Sequence, residues 1–184
     1  MPESSGAVLP ASRSWVAGRA HGRALEIGVG AWPSLQFYSP AVVVTGLDRQ
    51  PKAVARASRT AARVGRKATV VEGDAMALPF ADASFDSVVF SFSLCGVPSV
   101  HGALVEGLRV LVPGGTLLMA DHVISTSGPL RAVQRVAEAF TRPTVGEHFT
   151  RRPSLAAREL DVDVVAIERL SRGAIERLHA VKRG

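Results

Sequence analysis

Short runs of apolar, often β-branched residues alternate along this chain with stretches whose apolar positions recur every three or four residues. Strand-like and helix-like periods in alternation imply parallel strands joined by helical crossovers, with ligand sites gathered at the strand C-termini. Arg23 to Ile27 reads as a first strand ending at a glycine turn, and Ala41 to Leu47 (AVVVTGL) as a second ending at Asp48. The twelve residues from Val29 to Pro40 leave room for a crossover with only a short helix, opened by Pro33 and closed by Pro40. From Pro51 to Val64, the residues Val54, Ala57, Ala61 and Val64 keep helical spacing while Lys52, Arg56, Arg59 and Arg63 repeat on another face. Ala68 to Val71, Phe85 to Phe90 and Thr116 to Ala120 complete five strands, with a helix over Val100 to Leu111 and a turn at Pro113-Gly114-Gly115. A helix from Pro129 to Phe140, a loop around Gly146, and a hairpin of Asp161 to Arg169 with Ala174 to Val181, turning at Gly173, close the chain. The pattern predicts an α/β fold: a Rossmann-like, seven-stranded, mostly parallel sheet with helices on both faces and a C-terminal antiparallel hairpin. One domain is expected over residues 23–184, preceded at 1–22 by a tail in which Ala11 to His21 is a short candidate lid helix.

Length and composition narrow the reading. With 184 residues, 47% apolar and 21% charged, the chain suits one domain with one core. The uncharged stretch from Ser87 to Val105 is broken by Gly96, Pro98 and Gly102, so no membrane-spanning helix is predicted. Glu3 and Pro10 argue against a secretory leader, and a cytoplasmic location is expected. The single cysteine, Cys95, excludes an intrachain disulfide and leaves structural zinc without its usual thiolates. A net charge of +6 decides nothing alone, but Arg49 to Lys67 carries seven basic residues and no acidic one. That basic helix is a candidate for peripheral contact with an anionic membrane surface; without interleaved aromatics for base stacking, nucleic acid is not the expected partner.

The chemistry starts at Ala24-Leu25-Glu26-Ile27-Gly28-Val29-Gly30, where an apolar strand runs into glycines whose missing β-carbons let a ligand approach the backbone. Asp48 follows Gly28 by 20 residues, the separation at which a carboxylate at the next strand end meets a ribose hydroxyl pair. The third glycine is absent from both adenine-nucleotide patterns: a dinucleotide turn wants it where Pro33 stands, and an E-x-G-x-G-x-G turn wants it at Trp32. The rest of the chain separates the two. Glu72-Gly73-Asp74-Ala75-Met76-Ala77-Leu78-Pro79-Phe80, Ser84-Phe85-Asp86-Ser87-Val88-Val89 and Arg109-Val110-Leu111-Val112-Pro113-Gly114-Gly115 follow in order. With that series the chain resembles class I S-adenosylmethionine-dependent methyltransferases, in particular small bacterial proteins grouped with phosphatidylethanolamine and quinone-precursor methyltransferases. Ala120-Asp121-His122-Val123 and Gly146-Glu147-His148, followed by Arg151-Arg152-Pro153, extend the resemblance toward the C-terminus.

The resemblance implies S-adenosyl-L-methionine as cofactor, with Glu26, Gly28, Val29 and Gly30 along its methionine part, Asp48 on the ribose, and Asp74 and Ala75 at the adenine. Arg49 would flank the adenine, Ser91 would face the methionine end, and Met76, Leu78 and Phe80 would line or close the pocket. Trp32, in place of the third glycine, must turn away from the methionine tail or obstruct it. The short N-terminal segment suggests that a second copy of the chain, in a homodimer, supplies the lid. Where the acceptor begins as a protonated amine, phenol or thiol, histidine is the side chain suited to take its proton. His122, after the fifth strand, and His148, in the loop before the hairpin, are therefore the catalytic candidates, with Asp121 available to orient His122. Cys95 reads as a small buried hydrophobe, and no metal is expected because no second carboxylate or histidine stands at ligand spacing. The acceptor class is small or amphipathic: lipid, amine, phenol or thiol. Two alternatives remain at this stage: a catalytically silent cofactor-binding module for an anionic partner, and a NAD(P)-dependent oxidoreductase.

Overall fold

The structure is a computed structural model in which residues 5–145, 148 and 150–184 are described. Its elements are α1 (Ser5–Ala17), β1 (Arg23–Ile27), β2 (Val43–Asp48), α2 (Pro51–Val64), β3 (Ala68–Glu72), β4 (Phe85–Ser91), α3 (Val100–Val110), β5 (Leu111–His122), α4 (Gly128–Val145), α5 (Pro153–Arg158), β6 (Val162–Leu170) and β7 (Ile175–Lys182). One seven-stranded sheet runs in the order β3-β2-β1-β4-β5-β7-β6. The first five strands pair in parallel, and β7 lies antiparallel between β5 and β6.

Both faces of the central strands are buried, as their nearly unbroken apolar runs require. On one face Val16 and Ala17 of α1 and Ala57 and Ala61 of α2 pack with Trp32, Leu35 and Tyr38 from the β1–β2 connection. On the other, Leu104 and Leu108 of α3 and Ala157 of α5 cover Leu25, Val88, Phe90 and Leu117. Helix α2 keeps its sequence-predicted ends: Pro51 opens it, and Gly65, at φ 68°, closes it with its N–H directed to the carbonyls of Ala61 and Ala62.

Four segments differ from expectation. The β1–β2 crossover holds only a single 3-10 turn, Leu35–Phe37, because the chain on either side turns Trp32, Ser34 and Tyr38 inward. The N-terminal helix spans Ser5–Ala17 instead of Ala11 to His21, and lies on the sheet with Val8, Ser12, Val16 and Ala17 buried. Strand β5 begins at Leu111 and absorbs Pro113-Gly114-Gly115 as a bulge, its register jumping from Phe85↔Leu111 to Ser87↔Thr116. Helix α5 went unpredicted since six residues are too few to show a helical period. Gly146 and Glu147 of the C-terminal motif, like residues 1–4, lie outside the described residues. Among the described residues no helix is long and apolar enough to cross a membrane.

Candidate functional site

The backbone leaving β1 passes through left-handed conformations at Gly28 (φ 76°), Gly30 (φ 57°) and Trp32 (φ 56°). A β-carbon on Gly28 would stand 2.6 Å from the Ser93 β-carbon, so both the turn and the crowding demand glycine there. Asp48, at the tip of β2, ties the turns together: one carboxylate oxygen accepts from the Gly30 N–H (2.9 Å), the other from the Gln50 N–H (3.0 Å). These loops frame a cavity of about 280 Å³ at the strand C-termini, lined by Gly28, Asp48, Arg49, Asp74 and Ala75, with Phe92, Ser93 and residues Gly96 to Pro98 opposite.

The other predicted cofactor residues stand off the cavity wall. Glu26 is buried and accepts three hydrogen bonds, from Trp32 Nε1 (2.9 Å), Ser34 Oγ (2.6 Å) and Tyr38 Oη (2.8 Å). Desolvation raises its carboxyl pKa, which the three donors and the nearby Arg13 charge oppose. Glu26 is thus a joint of the β1–β2 connection. The question posed by Trp32 is also answered: its indole is fully buried, turned away from the cavity onto the bare backbone of Gly46, the β2 register partner of Glu26. Val29 is buried with that cluster, and Gly30 serves through its N–H to Asp48. Met76 turns toward Gly102 of α3, while its N–H donates to Asp74 (2.9 Å) and shapes the turn.

Ser91 was placed just past the fourth strand, but β4 continues through it, pairing Ser91 with Ala120. Two residues later Ser93 occupies the wall instead. The buried hydroxyls of Ser91 and Ser93 both lack a hydrogen-bond partner among the described residues. Phe92, between them, adopts φ 57° and is pinned by its N–H to the Ala120 carbonyl (2.7 Å). Phe92 belongs to an aromatic cluster legible in the sequence, whereas Ser93 carried no signal beyond its place after a parallel strand, where ligand loops form.

Behind Phe92 stands His122, ring centroids 4.9 Å apart. The Asp121 carboxylate accepts the backbone N–H groups of Leu94, Cys95 and His122. Burial pushes the Asp121 carboxyl up to about 6, while the Cys95 thiol and the backbone donors pull it the other way. Folding also brings ligand-type atoms of Cys95, Asp121 and His122 within 4.8 Å of one another, a grouping hidden from spacing because Cys95 lies far upstream. His148 donates its N–H to the Cys95 carbonyl (2.8 Å), and its Nδ1 lies 3.1 Å from Glu138, which also accepts from the Thr150 N–H. Both histidines therefore border the loop after β4, one layer behind the cavity wall.

The family model described as "Methyltransferase domain" matches residues 25–119, which run from Leu25 in the first strand to Met119 in the fifth and hold every residue of the cavity wall. The chain belongs to the class I S-adenosylmethionine-dependent methyltransferase family. It is 36% identical over 129 residues to a phosphatidylethanolamine N-methyltransferase of Cereibacter sphaeroides, covering 69% of this chain and 63% of that protein. A demethylmenaquinone methyltransferase of Thermus thermophilus is 33% identical over 131 residues, with 70% of this chain and 60% of that protein covered. The chain thus spans less than two thirds of the length of these relatives. Among solved structures, a Bacillus halodurans chain assigned as a methyltransferase superposes with a TM-score of 0.80 at 16% identity, covering 97% and 100% of the two chains. The cyclase SpnF superposes at 0.76 with 20% identity, covering 96% of this chain and 80% of its own. At such identities the likeness concerns the fold alone, and a cyclase among the neighbours illustrates that this fold hosts more than one chemistry.

S-adenosylmethionine is the cofactor of the family, and the residues on the cavity wall fit it. A carboxylate at the tip of β2, a second at Asp74, a side-chain-free seat at Gly28 and the orphaned hydroxyl of Ser93 match a ligand with a polar ribose, an amino-bearing base and a polar tail.

Proposed function

We propose that this chain binds S-adenosylmethionine in the cavity at the C-termini of β1, β2 and β4 and directs methyl transfer to a small or amphipathic acceptor of the quinone or lipid type. The observation that carries the reading is the convergence of Gly28, Asp48 and Asp74, from three different strand ends, on one cavity. Asp48 would accept the ribose hydroxyl protons, Asp74 and Ala75 would hold the adenine edge, Arg49 would flank the ring, and Gly28 would give the tail access to the backbone. When bound, the cofactor supplies a methyl group activated by its sulfonium. The protein's part is then to align donor and acceptor and to exclude water, for which Phe92, Val97 and Pro98 provide an apolar wall. In this reading His122, behind Phe92, would take the proton of an acceptor that must lose one, and the pair Glu138–His148 borders the same loop. Family membership leaves the nicotinamide reading without support. The exposed basic side chains Lys52, Arg56, Arg59 and Arg63 of α2 remain available to an anionic lipid surface, whereas Arg66 is engaged by the carbonyls of Tyr38, Ser39 and Val42.

Calorimetric titration with S-adenosylhomocysteine, with NAD as control, tests the cofactor assignment. Asp48→Asn keeps an oxygen for one of the two backbone donors, turns an NH2 toward the other and cannot accept both hydroxyl protons, so affinity should fall about tenfold or more. Binding of NAD alone, or undiminished affinity in the variant, would overturn the ribose assignment. His122→Ala should lower methyl transfer to the acceptor while leaving the titration unchanged.

A further inference from the structure

Three side chains converge behind the cavity wall: Cys95 from the turn Leu94–Gly96 that follows β4, and Asp121 and His122 from the last two positions of β5. Asp121 and His122 adjoin in the chain, whereas Cys95 meets them because β4 and β5 run parallel and in register to their tips. One donor atom of each lies within 4.8 Å of the other two, so folding gathers a sulfur, an imidazole nitrogen and a carboxylate oxygen in one place. Cys95 and Asp121 are buried and His122 is half-buried. All three are held by their surroundings. The Asp121 carboxylate accepts from the N–H groups of Leu94, Cys95 and His122, the Cys95 carbonyl accepts from the His148 N–H, and the His122 ring lies against Phe92.

The donor types decide what such a place takes. A thiolate, an imidazole and a carboxylate are the ligand types that zinc binds, whereas magnesium and calcium are bound through oxygen. Thiolate and carboxylate together balance the charge of a divalent ion where an unpaired charge would be costly. Three protein ligands leave a fourth position open, as in zinc sites that bind water or substrate, unlike closed structural ones. The backbone N–H groups on Asp121 supply the outer support that orients a ligating carboxylate. A tetrahedral ion with bonds of about 2.0–2.3 Å sets its ligands roughly 3.3–3.8 Å apart, so side-chain rotation has to draw the donors in by about an ångström.

We propose that Cys95, Asp121 and His122 form a three-ligand site for a zinc-class divalent ion, one layer behind Phe92. On binding, a sulfur–metal bond replaces the thiol S–H bond, and the proton passes to the solvent. The inference stands on this geometry and not on the cofactor reading. It meets the proposed function at one point: a His122 nitrogen held by an ion is not a base, and the charge of the ion would instead polarise an acceptor oxygen or sulfur.

For the test, untagged full-length protein is stripped with a chelator, dialysed and titrated with Zn²⁺ against a chromophoric chelator, beside Cys95→Ser and His122→Ala. Thermal melting confirms that each variant is folded. The expected result is one equivalent of Zn²⁺ at a Kd of about 1 μM or tighter, weakened about a hundredfold by Cys95→Ser and about tenfold or more by His122→Ala. Millimolar Mg²⁺ should not compete. Cobalt gives a readout that needs no variant. Cys95 is the single cysteine of the chain, so a thiolate-to-cobalt charge-transfer band on adding Co²⁺ to the wild type identifies its sulfur as a ligand. Wild-type protein that takes up no Zn²⁺, zinc affinity unchanged in either folded variant, or Co²⁺ bound without that band overturns the proposal. A parallel titration with S-adenosylhomocysteine keeps the two readings apart: binding of that ligand by protein that takes up no zinc removes the metal site alone, and zinc uptake with the cobalt band but without that ligand supports the metal site and removes the cofactor reading alone.

Discussion

Trp32 stands where the E-x-G-x-G-x-G turn places its third glycine, and it keeps the left-handed backbone, φ 56°, that a glycine would adopt there. What differs is the direction of the side chain: the indole fills the space over Gly46 and donates to Glu26, so the substitution is absorbed by the core and not by the cavity. A β-carbon on Gly46 would come within 2.8 Å of that indole, so the two residues are mutually accommodated across β1 and β2. Restoring the glycine should therefore harm the protein. Trp32→Gly empties a fully buried indole site and removes one of the donors to Glu26, at a cost of about 3–5 kcal/mol, offset by about 1 kcal/mol of relieved backbone strain. Urea unfolding should report a net loss of about 2–4 kcal/mol, while S-adenosylhomocysteine affinity of the folded protein stays within about twofold. A marked gain in that affinity would mean that the indole obstructs the cofactor after all.

Among the elements, α1 changes the functional picture most, because a short helix ahead of the first strand invites reading as a lid. Its inward residues are instead sealed against the sheet, with Val16 and Ala17 at 0% exposure. Val16→Ala removes two buried carbons and should cost about 2 kcal/mol, lowering the melting temperature by roughly 4–8 °C. An unchanged melting temperature would mark α1 as a loosely held flap. Such elements mark where the sequence is legible. Helix α2 has its two faces written at helical period with Pro51 and Gly65 as punctuation, and β1 to β3 are apolar runs ending at turns, so their order and C-terminal tips could be read to within a residue. Gly28, Asp48, Arg49, Asp74 and Ala75 were accessible because each sits at such a tip. Ser93 was missed by two residues because β4 pairs beyond its apolar run, and the fate of Glu26 was hidden because it depends on three side chains turned inward by a left-handed kink. Arg13 reaches Phe92 from a helix distant in sequence, a contact that no local pattern encodes.

At the scale of the whole molecule, several of the contacts that hold the fold are made by carboxylates that also titrate, and this couples stability to pH in opposite senses. Glu106 and Glu138 are lowered, Glu106 mainly by its bond to Arg109 and Glu138 by Thr150 and His148 against the opposing effect of burial. Their contributions are present above the ordinary carboxyl range and fade on acidification. Glu26 and Asp121 are raised, chiefly by burial, Asp121 from 3.8 to about 6. For a group with a raised native pKa the folded state binds more protons than the unfolded one between the two values, so its contribution weakens as pH climbs through that window. Asp121→Asn isolates this effect, since the amide remains neutral throughout and any hydrogen bond lost at the His122 N–H adds only a pH-independent offset. Unfolding free energies measured from pH 4 to pH 7 should show the wild type losing ground relative to the variant as pH rises. The relative loss should reach about 3 kcal/mol at most by pH 7, the equivalent of roughly two pKa units, with solvent relaxation reducing it. A constant difference across that range would show that Asp121 ionises as an ordinary carboxylate. The joint it makes between β5 and the loop carrying Leu94 and Cys95 would then be a solvated one, and the histidines bordering that loop would face the cavity through water instead of a dry wall.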